Sequence, residues 1–120
     1  MKKILILGGA GFIGSQLAEK FSKIGFVTII DGLVDGTGGR VENICDIKNI
    51  TFIDKCIENV SDLSEIVSKQ DIIIDSMGWT SHLGAIRDPM LDLRLNLHSH
   101  LYLLDYLKYN LKKNSLVINL

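Results

Sequence analysis

A short apolar run, a glycine-rich turn and an amphipathic segment follow one another without a break at the start of the chain. The run KKILILG has the β-branched and leucine content of a buried β-strand. After GGAGFIG, apolar residues recur at the spacing of one helix face and a glycine closes the segment: Ile13, Leu17, Phe21, Ile24 and Gly25. This order predicts a strand that turns directly into a helix, and it constrains the fold more than any other feature.

Strand-like and helix-like segments continue to alternate along the chain. The runs FVTIID, ITFIDKCI, DIIIDSMG and SLVINL predict four further strands. Ser61 is expected to cap a short helix, while Asp88 and Pro89 are expected to open a long helix that continues to Leu111. The glycine-rich segment after the second strand predicts a loop with one helical turn near residues 41–44. The alternation predicts an α/β fold with a Rossmann-type, doubly wound parallel sheet of five strands in the order 3-2-1-4-5.

Composition excludes several classes of protein. The 13 Lys and Arg residues nearly balance the 14 Asp and Glu residues, and no basic run indicates a nucleic-acid partner. No apolar stretch is long enough to cross a membrane. Cys45 and Cys56 fit no disulfide framework and favour free thiols in a reducing cytoplasm, where we expect the protein. His98 and His100 are two apart on a predicted helix, so they face different directions and predict no metal site.

Three glycines, Gly8, Gly11 and Gly14, are spaced three apart directly after the first strand. The first permits a tight turn, the second lets a phosphate approach the backbone, and the third lets the helix pack closely on the strand. The backbone N–H groups around Phe12 and Ile13 would then point at the phosphate from the helix N-terminus. The turn therefore predicts a site for the pyrophosphate of a dinucleotide.

Asp31 at the end of the second strand indicates which dinucleotide binds. It follows the glycine turn by about 20 residues, where a carboxylate can accept both ribose hydroxyls of an adenosine. A 2′-phosphate would be repelled there, so the sequence favours NAD over NADP. Arg40 in the following loop is the residue that could reverse this preference. A flavin or methyl-donor binder on the same fold is a weaker alternative, because the glycines and Asp31 together suit NAD.

These residues resemble the extended short-chain dehydrogenase/reductase superfamily, in particular the NAD-dependent nucleotide-sugar epimerases and dehydratases. GGAGFIG, DGLVDGTGG and RDPMLDLRLN carry the resemblance, which covers the whole chain. It implies that Ser76, Met77 and Gly78 line the nicotinamide ribose, with an ordinary turn as the alternative. It also implies this set of cofactor-binding residues: Gly8, Gly11, Phe12, Ile13, Gly14, Asp31, Cys56, Ile57, Ser76, Met77 and Gly78.

The sequence departs from the family after the third strand, where Cys56 and Ile57 replace an Asp-Ile pair whose carboxylate meets the adenine amino group. The resemblance therefore implies that this hydrogen bond is lost or moved. Asn96 matches an asparagine that braces the active-site backbone, although a satisfied core asparagine is an open alternative. Trp79 and His82, in the loop predicted after the fourth strand, are candidate substrate contacts, and a merely solvated histidine is the alternative for His82.

The resemblance implies transient hydride transfer between the carbon of a sugar hydroxyl and NAD. It assigns proton transfer to a tyrosine and a lysine four residues later, on a helix after strand five. Tyr109 and Lys113 have this spacing but lie at the far end of the helix before strand five, so we reject them and expect no catalytic residue in the chain.

Residues 1–120 are accordingly expected to form an incomplete NAD-binding Rossmann domain that stops after strand five, lacking the catalytic helix and the substrate lobe. A shortened form or an interrupted gene would explain this. The alternative is a non-catalytic module that binds or senses NAD. The long helix over residues 89–111 is apolar nearly all round, which predicts a homodimer through that helix. The expected partners are thus a second subunit and, in the full-length enzyme, a nucleotide sugar.

Overall fold

The structure is a computed structural model that describes residues 1–120. Five parallel strands form one sheet in the order β3-β2-β1-β4-β5. The predicted fold class and strand order are therefore confirmed. The strands are β1 (Lys2–Leu7), β2 (Gly25–Asp31), β3 (Ile50–Asp54), β4 (Ile72–Asp75) and β5 (Leu116–Asn119).

Helical segments connect the strands. A single 3₁₀ turn at Val41–Asn43 lies where the sequence predicts one helical turn, and a second 3₁₀ turn covers Ile57–Asn59. A π-helical turn, Arg94–His98, separates the last two α-helices. The α-helices are α1 (Phe12–Phe21), α2 (Leu63–Ser68), α3 (His82–Arg87), α4 (Pro89–Leu93) and α5 (Ser99–Asn110). None of these helices has the length and apolar character needed to cross a membrane.

The sheet has a core cluster on each of its two faces, which is typical of a parallel sheet. Successive residues of β1 alternate between two core clusters, with Ile4 and Ile6 in one and Leu5 and Leu7 in the other. Ala18 of α1 packs in the first cluster. The second cluster contains residues of α2 and α5: Leu63, Val67, Leu103 and Leu107. The central strand is thus held between two layers, and its carboxyl end is fixed.

Several predicted boundaries differ from the structure. The helix predicted to include Ile24 and to close at Gly25 ends at Phe21, and Gly25 instead opens β2. A Cβ on Gly25 would lie 2.6 Å from Cδ1 of Ile4, so this glycine permits close strand packing and does not cap the helix. Ser61 does not cap α2, whose N-cap is Asp62.

The long helix predicted over residues 89–111 is a composite. Asp88 is the N-cap, as predicted, and its Oδ1 accepts a hydrogen bond from the Leu91 amide at 3.1 Å. The π-helical turn then interrupts the helix, and the Ser99 hydroxyl donates to the Arg94 carbonyl at 2.9 Å. The helix ends at Asn110, and Leu111 is extended. The prediction of one regular helix to Leu111 is therefore wrong.

One face of this composite helix packs on the sheet and the other is open. Leu103 and Leu107 are buried against the sheet. The prediction that the helix is covered on two sides is not met within this chain, because a row of leucines is about half exposed: Leu93, Leu97, Leu101 and Leu104. The homodimer stays a prediction.

Candidate functional site

A pocket of about 750 Å³ opens at the carboxyl ends of the strands. The chain passes from β1 to β2 and β3 on one side, and to β4 and β5 on the other, so the pocket lies where the strand order reverses. All the predicted site residues line this pocket with one exception, His82. The residues that line it are Gly8, Gly11, Phe12, Ile13, Gly14, Asp31, Cys56, Ile57, Ser76, Met77, Gly78, Trp79 and Asn96.

The glycine turn between β1 and α1 requires its first and third glycines. Gly8 has a φ of +72°, a conformation that other residues rarely adopt, and a Cβ there would lie 2.8 Å from the Ser76 carbonyl oxygen. A Cβ on Gly14 would overlap the Gly8 carbonyl oxygen and lie 2.7 Å from Cα of Gly9. A Cβ on Gly11 would meet only the Gly8 oxygen, at 3.3 Å. The turn is therefore closely packed against the protein at Gly8 and Gly14 and open at Gly11.

The N-terminus of α1 presents unpaired amides beside this turn. The first hydrogen bond of the helix runs from the Ser15 amide to the Gly11 carbonyl at 3.0 Å. The preceding amides, of Phe12, Ile13 and Gly14, have no acceptor within the protein. Ile13 was predicted on the apolar face of the helix, but it is 57% exposed at the pocket. Three free N–H groups and the positive end of the helix dipole favour an anionic ligand here.

Asp31 is held rigidly on the β2 side of the pocket. Its Oδ2 accepts the Ala10 amide at 3.0 Å, and its Oδ1 accepts the Leu33 amide at 2.9 Å. Each carboxylate oxygen keeps acceptor capacity, because an ionised carboxylate offers about four lone-pair sites. The loop after β2 also covers this carboxylate, since a Cβ on Gly39 would lie 3.0 Å from Oδ1. The carboxylate can therefore accept further donors from a ligand in the pocket without reorientation.

A buried carboxylate organises the β4 side of the pocket. The side chain of Asp75 is 2% exposed. It accepts the Met77 amide at 3.1 Å and the Asn119 amide group of β5 at 3.2 Å, and Nδ1 of His100 lies 2.5 Å from its Oδ2. The Ser76 hydroxyl donates to the carbonyl oxygen of Leu7 at 2.7 Å. These bonds fix the segment Ser76 to Gly78 against β1, β5 and α5.

Asn96, in the π-helical turn, pairs with both backbone groups of Trp79. Its Oδ1 accepts the Trp79 amide and its Nδ2 donates to the Trp79 carbonyl, each at 2.7 Å. Nδ2 also donates to Asp92 at 2.7 Å. Asn96 is exposed, so it is not a core asparagine. Its amide fixes the backbone of the segment that follows β4.

Glu58, which the sequence did not single out, links the β3 side of the pocket to the composite helix. Its Oε1 accepts the Ser99 hydroxyl at 2.8 Å and lies 3.2 Å from Nδ1 of His98. Burial raises the pKa of Glu58, but the hydrogen bonds of its own backbone amide, Ser99 and His98 outweigh burial and leave the pKa below its usual value. This carboxylate is therefore ionised at neutral pH and holds the π-helical turn near the pocket.

Two sets of residues lie away from the pocket. His82 is the exposed first residue of α3, a helix that the sequence did not predict. Tyr109 is 74% exposed near the end of α5, and its ring packs under Nζ of Lys108 at 5.1 Å. Neither Tyr109 nor Lys113 lines the pocket. The lysine that packs on Tyr109 is thus its neighbour in sequence and not Lys113.

The sequence missed several pocket residues. Lys55 follows β3 and Asn119 ends β5, so the strand-end argument used for Asp31 would have found both. His100 and Arg94 reach the pocket from the composite helix, and nothing in the local sequence signals them. No group of three or more His, Cys, Asp or Glu side chains is arranged to hold a metal ion.

A doubly wound sheet, a glycine turn with free amides and an acidic residue at the end of the second strand together define a dinucleotide-binding domain of the Rossmann type. The profile of one family, described as the NAD dependent epimerase/dehydratase family, matches residues 4–119. The chain belongs to this family.

Similar proteins include enzymes that are named for UDP-sugars. The UDP-N-acetyl-alpha-D-glucosaminuronate decarboxylase of Bacillus cytotoxicus is 38% identical over 86 residues, which are 71% of this chain and 24% of the relative. A similar solved structure is the UDP-N-acetylglucosamine 4-epimerase of Methanobrevibacter ruminantium in complex with UDP-N-acetylmuramic acid. Its TM-score is 0.80 at 29% identity, and the matched region is 91% of this chain and 34% of the epimerase chain.

A third similar protein was solved with NAD. The UDP-glucuronic acid 4-epimerase of Bacillus cereus has a TM-score of 0.81 at 27% identity, over 98% of this chain and 39% of its own. The chain therefore spans less than two thirds of the length of each of these relatives.

Proposed function

We propose that this chain is the NAD-binding portion of a nucleotide-sugar epimerase or dehydratase. The observation that carries the proposal is the placement of two groups in one pocket. The free amides of Phe12, Ile13 and Gly14 lie at the end of β1, and the Asp31 carboxylate lies at the end of the neighbouring strand. The first group suits a pyrophosphate and the second suits the hydroxyls of a ribose.

The pocket residues can be matched to the successive parts of an NAD molecule that lies along the edge of the sheet. The amides of the glycine turn would hold the pyrophosphate, and Asp31 would accept the adenosine ribose hydroxyls. Cys56 and Ile57, beyond β3, would lie beside the adenine, without the carboxylate hydrogen bond that the family usually makes there. The segment beyond β4, Ser76 to Gly78, would line the nicotinamide ribose. The hydrogen bonds of Asp75 and Ser76 hold this segment in place before the ligand binds.

The charge of the pocket supports NAD over NADP. Asp31 forms no ion pair, so its negative charge would face a 2′-phosphate without compensation. Arg40 is exposed and does not line the pocket. Lys55 does line it, from the end of β3, and Arg94 lines it from the composite helix. The carboxylate is fixed by two backbone amides whereas Lys55 is exposed, so the fixed charge dominates.

The names of the relatives support a nucleotide-sugar substrate. The similar proteins from Bacillus cytotoxicus, Methanobrevibacter ruminantium and Bacillus cereus are all named for UDP-linked sugars. The chemistry that NAD supplies in such a site is transient acceptance of a hydride from the carbon of a sugar hydroxyl. The two free thiols, Cys45 and Cys56, support a cytoplasmic location.

Calorimetric titration of the 120-residue chain with NAD and with NADP tests the proposal. We expect NAD to bind with one site per chain and NADP to bind more weakly. An Asp31→Asn variant should bind NAD less well and should lose most of its preference over NADP. A chain that binds neither dinucleotide, while retaining a cooperative thermal transition, would refute the proposed function.

The second candidate is a module that binds or senses NAD without catalysis. It is compatible with the position of Tyr109 and Lys113, because this Tyr-x-x-x-Lys sequence lies outside the pocket. Reading the source gene beyond the codon of Leu120 distinguishes the two functions. An in-frame Tyr-x-x-x-Lys segment would support the enzyme, and a stop codon would leave the binding module.

A further inference from the structure

The only tryptophan of the chain, Trp79, has its indole ring beside two glycines. A Cβ on Gly84 of α3 would lie 2.7 Å from Cη2 of the indole, so only a glycine leaves room for the ring. On the other side, a Cβ on Gly36 would lie 3.8 Å from Nε1, in van der Waals contact. Asn96 pairs with both backbone groups of Trp79, so the backbone that carries the indole is fixed and Gly84 packs directly against the ring.

The contact between Trp79 and Gly36 crosses over the glycine turn. Gly36 belongs to the loop after β2, and Trp79 belongs to the segment after β4. Since β1 lies between β2 and β4 in the sheet, any contact between those two loops must pass above the end of β1. The end of β1 is where the free amides of Phe12, Ile13 and Gly14 lie. The Trp79 side chain and the residues of the glycine turn accordingly line one pocket.

The indole N–H has no hydrogen-bond partner. Nε1 is buried and is one of two buried side-chain polar atoms of the protein without a partner, the other being Oε1 of Gln70. An indole N–H is a donor only, and a buried donor without an acceptor costs free energy, so most such groups are paired in folded proteins. An oxygen atom of a ligand in this pocket would supply the acceptor.

The loop that covers Nε1 can move aside for a ligand. Gly36 and Gly38 have φ values of +83° and +84°, and a Cβ on Gly38 would meet nothing within 4 Å. Glycines at positive φ reach several backbone conformations at little cost. Displacement of this loop would open the buried indole N–H to a ligand in the pocket.

We propose that the Trp79 indole N–H donates a hydrogen bond to the pyrophosphate of the bound dinucleotide. This inference rests on the proposed function, and it replaces the sugar nucleotide that the sequence suggests as the ligand of Trp79. The amides of the glycine turn bind the pyrophosphate from one side and the indole binds it from the other. Gly84 is then a specificity-determining glycine, because its lack of a side chain sets where the indole lies.

The first test compares four ligands in the wild-type chain and in Trp79→Phe, by calorimetry. Phenylalanine keeps an aromatic ring and removes the N–H. We expect the affinities for NAD and ADP to fall about tenfold, the usual effect of losing a hydrogen bond to a charged group, while the affinity for adenosine is unchanged. Equal affinities for NAD in the two chains would overturn the inference, because the N–H would then bind water or nothing.

UDP is the fourth ligand and tests the alternative acceptor. A loss of UDP affinity in Trp79→Phe with no loss of NAD affinity would show that the indole binds the sugar nucleotide, which also overturns the inference. A wild-type chain that binds no NAD would refute the proposed function itself. The two failures are therefore distinguishable.

A second variant moves the indole without removing it. Gly84→Ala would push the ring aside, and it would also crowd the Ser81 hydroxyl that caps α3, at 2.8 Å. Alanine favours a helix more than glycine does, so α3 itself should persist. We expect the same loss of NAD affinity as in Trp79→Phe, together with red-shifted tryptophan emission and stronger acrylamide quenching without ligand.

Leu83→Ala is the matched control in the same helix. Leu83 is 66% exposed and does not line the pocket. This variant should keep the NAD affinity and the emission spectrum of the wild type. A shifted emission spectrum in Gly84→Ala with unchanged NAD affinity would overturn the inference, because the position of the indole would then be irrelevant to the ligand.

Discussion

Substituting Gly14 and Gly11 separately should divide the two roles of the glycine turn, packing and ligand access. In Gly14→Ala, the added Cβ would overlap the Gly8 carbonyl oxygen and lie 2.7 Å from Cα of Gly9. Ordinary carbon–carbon contacts are about 3.5–4.0 Å, so α1 must retreat by about 1 Å. Overpacking of this kind costs about 2 kcal/mol, which lowers the melting temperature of a chain of this size by about 8 °C.

The matched substitution, Gly11→Ala, should leave the fold intact. Gly11 has a φ of −78° and a ψ of −177°, which alanine adopts without strain, and its Cβ would meet only the Gly8 oxygen at 3.3 Å. Its melting temperature should therefore stay near that of the wild type. The new methyl group would project into the pocket where the pyrophosphate must approach the backbone, so the NAD affinity should fall at least about tenfold.

Thermal melts followed by circular dichroism, together with NAD titration calorimetry, measure both effects. A Gly14→Ala chain that melts at the wild-type temperature would refute the argument that α1 packs against the turn through this glycine. A folded Gly11→Ala chain with wild-type NAD affinity would refute the placement of the pyrophosphate at the glycine turn. Gly14→Ala should lower both the melting temperature and the NAD affinity, because it displaces α1, whereas Gly11→Ala should lower the NAD affinity alone. A loss of NAD affinity in Gly11→Ala at an unchanged melting temperature can therefore not be attributed to general instability.

Three further predictions concern charge, pH and association. In Asp31→Asn the ratio of the NADP and NAD dissociation constants should fall toward one, and an unchanged ratio in calorimetry would count against a charge-based preference. Hydrogen bonds from Lys112 and from the Lys3 amide lower the pKa of Asp71 from 3.8 to about 2. Asp71 therefore stabilises the fold fully above its unfolded pKa, and this stabilisation is lost as the pH falls toward 2. In Asp71→Asn the free energy of unfolding, measured by urea denaturation at a series of pH values, should change less over that range. The exposed row of leucines on α4 and α5 should make the chain associate at tens of micromolar, and Leu101→Glu should reduce the associated fraction in light scattering. A monodisperse wild-type monomer would contradict this.

The sequence predicts the sheet well because each strand is apolar over a continuous run. Burial on both faces makes β1 apolar from Ile4 to Leu7, and this pattern is visible without any knowledge of its neighbours. The glycine turn is equally local, since the requirements at Gly8 and Gly14 arise within a few residues of chain. Fold class, strand order and the position of the pocket all follow from these local signals.

The composite helix could not be predicted in the same way. Its π-helical turn is accompanied by hydrogen bonds of Ser99 to Arg94 and to Glu58, the latter 41 residues away in sequence. A leucine-rich run of this length fits one regular helix equally well. The start at Asp88 was predictable, because an N-cap followed by proline is a local pattern.

The same distinction applies to the pocket. The pairing of Asp75 with His100 joins residues 25 apart, on a strand and a helix, and neither position stands out in its own segment. Trp79 stood out only as a candidate substrate contact, whereas the structure shows that its buried indole N–H has no partner and lies near Gly36 of the loop after β2. Strand ends were predictable as the location of pocket residues, whereas His100 and Arg94, which the composite helix brings to the pocket, have no signal in their own segment.

The carboxyl end of β1 is bonded to both sides of the pocket. The Gly8 amide donates to Ile30 of β2 at 2.9 Å, and the Ser76 hydroxyl donates to Leu7 from the β4 side. The Ala10 carbonyl oxygen accepts a hydrogen bond from the Asn43 side-chain amide at 2.8 Å, and the Ala10 backbone amide donates to the Asp31 carboxylate. Both sides of the pocket are therefore fixed to one central strand, and all these bonds lie within the 120 residues. The groups proposed to bind the pyrophosphate and the adenosine ribose are thus held by contacts within this chain, and we expect NAD binding to be measurable on it by calorimetry.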